Sequence, residues 1–226
     1  MSRPANLPYP SIWSRFEANS CSFRIQDLTE EHYQAAINLF LSDFVPDEPV
    51  AKSMEIASDP ASLEEMCSLW LEVFRYRVSL ACFNEKTEEL VGVNAVFIET
   101  GGEEFKATAA PWKKVFDANN LVAERVNIKE KFKVDRFLGA FGLVVSRKYR
   151  GFGIGTEILR ARIPLCKALG LKVTSNNFSG EKSQRIAEKA GFKVDVSVTF
   201  DELANAGYKF PNITEACIKV MSLEIN

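Results

Sequence analysis

Histidine is almost absent from this chain: His32 is the only one in 226 residues. That excludes a metal centre built on histidines and weighs against a Ser-His-Asp triad. His32 itself falls on the polar face of the first helical pattern and reads as a solvated side chain. Cysteine is sparse as well. Cys21, Cys67, Cys82, Cys166 and Cys217 are scattered, odd in number and without C-x-x-C spacing, so reduced thiols are expected rather than a disulfide framework. No apolar run reaches the length of a membrane helix. Residues 1–13 carry three prolines in place of a hydrophobic signal core, so a cytoplasmic location is expected. Excess charge of either sign is missing too. With 28 basic and 30 acidic residues the net charge is -2, which leaves no electrostatic footprint for nucleic acid or an anionic membrane. Small-molecule partners and a monomer are expected.

What is present is a hydrophobic fraction of 46%, enough for the core of one α/β domain spanning residues 1–226. Residues 1–20 read as an N-terminal extension, and Ser22 to Asp27 as the first strand. A helix follows, capped near Thr29, with Tyr33, Ala36, Ile37, Phe40, Leu41 and Phe44 forming one apolar stripe. It ends at Pro46-Asp47-Glu48-Pro49. Helical periodicity returns over Ser62 to Tyr76, and Arg77 to Asn84 and Leu90 to Glu99 read as antiparallel strands. Residues 101–135 form an insertion with a helix over Asn120 to Lys131. Phe137 to Val145 is a strand, followed by a helix that stops at Gly170 and contains Pro164. The expected remainder is a strand at Leu171 to Asn176, a helix at Gln184 to Lys189, and strands at Phe192 to Phe200 and Ala216 to Ile225.

The most specific signal lies between the Phe137 strand and its helix: Arg150-Gly151-Phe152-Gly153-Ile154-Gly155. Three glycines in five residues bare the backbone where a helix N-terminus leaves its first N–H groups unpaired, and Arg150 adds positive charge. This is an anion cradle. It does not match a Walker A loop, because Thr156 and Glu157 occupy the positions of the second glycine and the lysine. Nor does it match a Rossmann fingerprint, whose third glycine is replaced by Thr156. It does match R-x-x-G-x-G, and with its strand and helix it resembles the acetyl-CoA pyrophosphate loop of the GNAT N-acetyltransferase superfamily. That resemblance implies acetyl-CoA as co-substrate, bound by Arg150, Gly151, Phe152, Gly153, Ile154, Gly155 and Thr156, and requires no metal. It implies an α/β (α+β) acetyltransferase fold: a central mixed, mostly antiparallel sheet, flanked by helices and splayed between the fourth and fifth strands of this reading. The amides of Leu143, Val144 and Val145 then face the pantetheine arm and thioester, with Val144 as the expected donor to the carbonyl.

Acetyl transfer to an amine needs a base, because an alkylamine near neutral pH is an ammonium ion without a lone pair. Among thirty carboxylates, Glu48 stands apart, in a turn stiffened by Pro46 and Pro49 beside apolar residues, where desolvation raises a carboxylate pKa. On residue types alone a surface turn acid remains the commoner explanation.

Across nearly its whole length the chain is similar to the insect arylalkylamine N-acetyltransferases. The matching segments are Tyr9-Pro10-Ser11-Ile12-Trp13, Asp47-Glu48-Pro49, Val91-Gly92-Val93-Asn94, the Arg150 loop, and Ala187-Glu188-Lys189-Ala190-Gly191-Phe192. The resemblance implies Glu48 as general base, with Pro49 shaping the junction of cofactor and amine. It implies Ser179 and Ser183 as hydroxyls active in catalysis. No tyrosine lies between Tyr149 and Tyr208, so protonation of the departing thiolate falls to a serine, a water or a distant tyrosine. The implied reaction is direct transfer in a ternary complex to a small arylalkylamine of the dopamine, octopamine, serotonin, tyramine or histamine type. Cys166 is left to packing. Phe44, Phe178, Phe200 and Tyr208 are the candidate aromatic slot. Agmatine or polyamines, a protein lysine or N-terminal amine, and acetyl-CoA binding without catalysis are the alternatives; a dication would look to Asp201-Glu202.

Overall fold

Asn19 and Ser20 both adopt left-handed backbone angles, φ 49 and 60. Such a pair makes the tight two-residue turn that suits a twisted hairpin. It folds β1 (Ile12–Ala18) back on β2 (Cys21–Asp27). The computed structural model describes residues 3–101 and 105–226. Residues 1, 2 and 102–104, which belong to the expected extension and insertion, lie outside it.

After β2 come a short 3-10 turn, α1 (Tyr33–Leu39), a π-turn (Phe40–Phe44), α2 (Pro49–Ser53) and α3 (Pro60–Arg75). β3 (Leu80–Asn84) and β4 (Leu90–Glu99) follow, then α4 (Ala110–Glu124) and α5 (Ile128–Phe132). The chain continues through β5 (Phe137–Val145), α6 (Ile154–Leu169), β6 (Val173–Phe178), α7 (Glu181–Lys189), β7 (Lys193–Thr199), α8 (Phe200–Asn205) and β8 (Cys217–Glu224).

The eight strands form one sheet in the order β1-β2-β3-β4-β5-β6-β8-β7. Every pairing is antiparallel except β5 with β6, which run parallel and meet at Leu138–Thr174 alone. That is the expected splay; β1 simply adds one to the strand count. Helices α1 to α5 and α8 cover one face, burying Phe40, Trp70, Val73 and Phe74 against β3, β4 and the β8 end. Helix α6 covers the other face, where Ile154, Ile158 and Leu165 pack on β2 to β5, and α7 closes over Leu159, Phe178 and Met221.

Several elements differ from the sequence reading. Ile12–Ala18 is an edge strand rather than part of an extension, because its outer face stays exposed and weakens the alternation. The first helical stripe ends in a π-turn, which lets Phe40 and Phe44 both pack inward. The insertion holds two helices broken near Asn127, whose side chain caps the second. Phe200 opens α8 instead of closing a strand, since Thr199 and Glu202 form a reciprocal capping box. His32 is half-buried: its ring sits 4.8 Å from Phe83 and its Nδ1 lies 2.8 Å from the Thr29 hydroxyl. α6 runs through Pro164 to Gly170, which ends it in the left-handed conformation.

Candidate active site

The turn between the π-turn and α2 is built by hydrogen bonds that return to one carbonyl. Asp47 and Glu48 both donate their N–H to Phe44 O, at 3.0 and 2.8 Å. Pro49 has no N–H and starts α2, which makes Glu48 the residue that caps the helix. Its Oε2 accepts the Ala51 N–H at 2.6 Å. Its Oε1 accepts the hydroxyl of Ser179, from the loop between β6 and α7. Glu48 keeps some exposed surface, yet its carboxylate is desolvated, and this burial is the main force raising its pKa. Hydrogen bonds from Ser179, Ala51 and Val50 oppose the rise, and the charge of Glu215 adds to it.

Glu215 gave no signal in the sequence, because it sits in an aperiodic loop. Its Oε2 accepts the Glu181 N–H at 2.8 Å, at the start of α7. Ser183 does not reach Glu48. Its hydroxyl donates to Gly180 O at 2.7 Å and is approached by Gly180 N–H at 3.4 Å, which ties the first turn of α7.

The glycine loop is open. Gly151 and Gly153 have φ 87 and 80, and a Cβ on either would meet nothing within 4 Å. They are needed for the turn, and they leave open space beside the backbone. Among the described residues the N–H groups of Gly151, Gly153, Ile154 and Gly155 find no acceptor. The Thr156 N–H does, closing on Gly153 O at 3.0 Å, so it is not one of the available donors. Four amides at the positive end of α6 fit a pyrophosphate. Arg150 is engaged elsewhere: it donates to Asp47 Oδ2 at 2.6 Å, Asp43 O at 2.6 Å and Val145 O at 3.2 Å. Arg147 also holds Asp47, at 3.0 Å, and with Arg150 it lowers the Asp47 pKa to about 2.

Between these two features lies the splay. The Ser146 N–H donates to Val91 O at 2.9 Å. Antiparallel pairing alternates, so Val144, two residues back and opposite Val93, also turns its N–H into the β4 ladder. Leu143 and Val145 then face the opening, as does the Val145 carbonyl that meets Arg150. The Val144 N–H, expected at the thioester, therefore points away from the opening; the sequence could not show which strand edge each amide would face.

The model of the acetyltransferase (GNAT) family matches residues 34–192, well over half of the chain. The chain belongs to the GNAT acetyltransferase family. Like its members it is an acetyl-CoA-dependent acyltransferase, with acetyl-CoA as co-substrate. A crystal structure from the yellow fever mosquito Aedes aegypti, designated arylalkylamine N-acetyltransferase 7, is 37% identical, with both chains covered completely and a TM-score of 0.96. Arylalkylamine N-acetyltransferase 2 of Aedes aegypti is 19% identical (TM-score 0.79, 90% of this chain and 99% of that one). Drosophila melanogaster polyamine N-acetyltransferase is 12% identical (TM-score 0.76, 90% and 100%). At those two identities the likeness is one of fold. No curated protein sequence matches.

The GNAT frame leaves the expected aromatic slot divided. Phe44 is half-buried, edge-on to Phe40 and Trp70 at 5.5 and 6.2 Å. Phe178 lies across the sheet against Phe192, because it is an odd number of positions along β6 from Val173, which packs on the other face. Phe200 is buried against Phe210, and Tyr208 is half-buried on the same side as Phe44. Pro49 touches the Gly180 region, where a Cβ would come within 3.0 Å of its ring. Asp201 and Glu202 are both exposed, and Glu202 is spent on the α8 cap. Cys166 is buried, with its thiol pushed up to about 12, a packing residue rather than a nucleophile. Among the described residues no helix is long and apolar enough to cross a membrane.

Proposed function

We propose that this GNAT enzyme acetylates the primary amine of a small arylalkylamine by direct transfer in a ternary complex, with Glu48 as general base. One observation carries the reading: Glu48 and Ser179, far apart in sequence, meet in a hydrogen bond beside the splay, with the glutamate desolvated and its pKa raised. A carboxylate held there is basic enough to take a proton from an ammonium, directly or through water. The pyrophosphate rests on the amides of Gly151, Gly153, Ile154 and Gly155. The thioester lies along the opening of β5, and its oxygen takes the Leu143 or Val145 N–H as the tetrahedral intermediate forms. The amine nitrogen attacks the carbonyl carbon, the C–S bond breaks, and CoA leaves as a thiolate to be protonated. Ser179, with its hydroxyl at Glu48, is placed to relay a proton; Ser183 serves by holding the turn that carries Ser179.

An aromatic amine suits the surroundings of the β5 bulge. Phe141 stacks on Phe97 at 4.6 Å and its carbonyl takes the Trp70 indole N–H at 2.8 Å, while Phe44 lines the other side of Gly142. The exposed Asp201-Glu202 pair offers no buried anchor for a second cation. The protein is proposed to act as a cytoplasmic monomer, without nucleic acid or membrane partners.

The test is thiol release from acetyl-CoA against a panel of arylalkylamines, histamine, agmatine, polyamines and a lysine peptide, with Glu48→Ala in parallel. Turnover confined to arylalkylamines, with kcat/KM of the variant down by ~10²–10⁴, is the expected result. Cofactor binding without turnover of any amine in the panel overturns the reading.

A further inference from the structure

Arg162 is a charged residue on the apolar stripe of α6, four positions after Ile158, and only 1% of its surface is exposed. Its hydrogen-bond partners among the described residues are both neutral. Nε donates to Asn94 Oδ1 at 2.8 Å and Nη1 to Thr174 Oγ1 at 3.1 Å. Burying a cation with no carboxylate beside it is unfavourable unless its hydrogen bonds are used. The partners show what they are used for. Asn94 Nδ2 donates to Gly142 O at 2.7 Å, and Thr174 Oγ1 donates to Leu138 O at 2.9 Å. Both carbonyls belong to β5: that of Leu138 at its bridge to β6, that of Gly142 inside its distorted stretch. There β4 advances from Asn94 to Val96 while β5 goes from Leu143 to Ala140, and Gly142 takes φ 109. An extra residue in a ladder leaves backbone groups unpaired, and the Asn94 carboxamide satisfies one of them, the Gly142 carbonyl.

The Gly142 carbonyl shares its peptide plane with the Leu143 N–H. In a trans peptide the two point in opposite directions. With its oxygen held on the β4 side, this peptide must aim the Leu143 N–H at the splay. Because a guanidinium can only donate, Arg162 also decides which way the Asn94 carboxamide faces, oxygen to the arginine and nitrogen to Gly142. Hydrogen bonds in such a chain polarise one another, and here a full positive charge stands at its head.

We infer that Arg162 and Asn94 are positioning residues that orient and polarise the Leu143 N–H, making it the donor to the thioester oxygen. The relay runs from the Arg162 guanidinium through the Asn94 carboxamide to the Gly142–Leu143 peptide, and stabilises the oxyanion without either side chain touching the substrate. It rests on the acyl-transfer reading above.

The experiment uses the complex of the whole protein with acetyl-CoA labelled with ¹³C at the thioester carbonyl, without amine. Infrared difference spectra are recorded for wild type, Asn94→Leu, Arg162→Met and Thr174→Val, and steady-state kinetics for each. In wild type the bound carbonyl stretch lies below its value in water. In Asn94→Leu and Arg162→Met it returns towards that value, and kcat falls ~10²-fold while both KM values stay near wild type. A protein carrying both Asn94→Leu and Arg162→Met is no worse than Asn94→Leu alone. Thr174→Val, off the relay, keeps the carbonyl shift. Wild type without a shift overturns the choice of Leu143 as donor. A shift and a kcat retained in folded Asn94→Leu overturn the relay, and this variant decides the matter even if Arg162→Met does not fold.

Discussion

Arg150 and Asp47, 103 residues apart, are joined by a 2.6 Å hydrogen-bonded ion pair. Arg150 opens the glycine loop and Asp47 precedes Glu48, so this pair ties the loop to the turn that carries Glu48. Arg147 reinforces it from the same turn. The loop arginine therefore has a protein carboxylate as partner that the cofactor's phosphates would rival.

Asp47→Asn releases both arginines. CoA should bind more tightly to the variant at low ionic strength, an advantage that fades as salt screens it. Because the pair is more than a third exposed, its loss should change stability by under ~1 kcal/mol at neutral pH. The sign with pH follows from the lowered pKa of Asp47. Its stabilising contribution is complete above 3.8 and disappears as pH falls to about 2. Calorimetric CoA titrations and melts at pH 7 and pH 3 check both statements; weaker CoA binding in the variant would contradict the first.

Glu48→Gln should lose activity and gain stability. A carboxyl whose pKa is raised in the fold stabilises the protein fully below its unfolded pKa, and loses that contribution as pH rises through the folded value. At neutral pH the ionised group is a burden that glutamine does not carry, so Tm should rise. In wild type, kcat/KM should climb with pH through a value above that of an ordinary glutamate. Melting curves and pH–rate profiles test the pair of effects together.

Ser179→Ala and Ser183→Ala should separate cleanly. Ser179 donates to Glu48 and thereby lowers its pKa, so Ser179→Ala should move the acidic limb of kcat/KM to higher pH. Ser183 ties the first turn of α7, and its loss should cost about 1 kcal/mol of stability with the limb unmoved. A shifted limb in Ser183→Ala would show that it does touch the base.

Gly180→Ala probes the contact between the two halves of the site. A Cβ there would stand 3.0 Å from Pro49 Cγ and 3.5 Å from Glu215 Oε1. Its backbone is extended and unstrained, so the fold should survive. Pro49, and Glu48 with it, must move by a few tenths of an ångström, and kcat should fall on the order of tenfold, since small misplacements in a reacting geometry are costly. A wild-type kcat would mean that the turn gives way without disturbing the base.

The conformation of the glycine loop was legible in the sequence because it is local: glycine conformations, a helix start and a strand end lie within twenty residues of one another. β5, α6 and the Gly170 stop were legible for the same reason, as was the turn that sets Glu48 apart. The edge strand β1, α8 and the break inside the insertion were not, since exposure, capping and a π-turn blur the periodicities that betray an element. Other features had no local signature at all. That Glu48 meets Ser179, that Glu215 stands beside them, that Leu143 rather than Val144 faces the opening, and that Arg162 is buried against Asn94 and Thr174 follow from strand order and register. Those are set by distant segments packing on both faces of one sheet. Backbone conformation is chosen by neighbours along the chain; which edge an amide presents, and which charges lose their water, is decided only when the layers close.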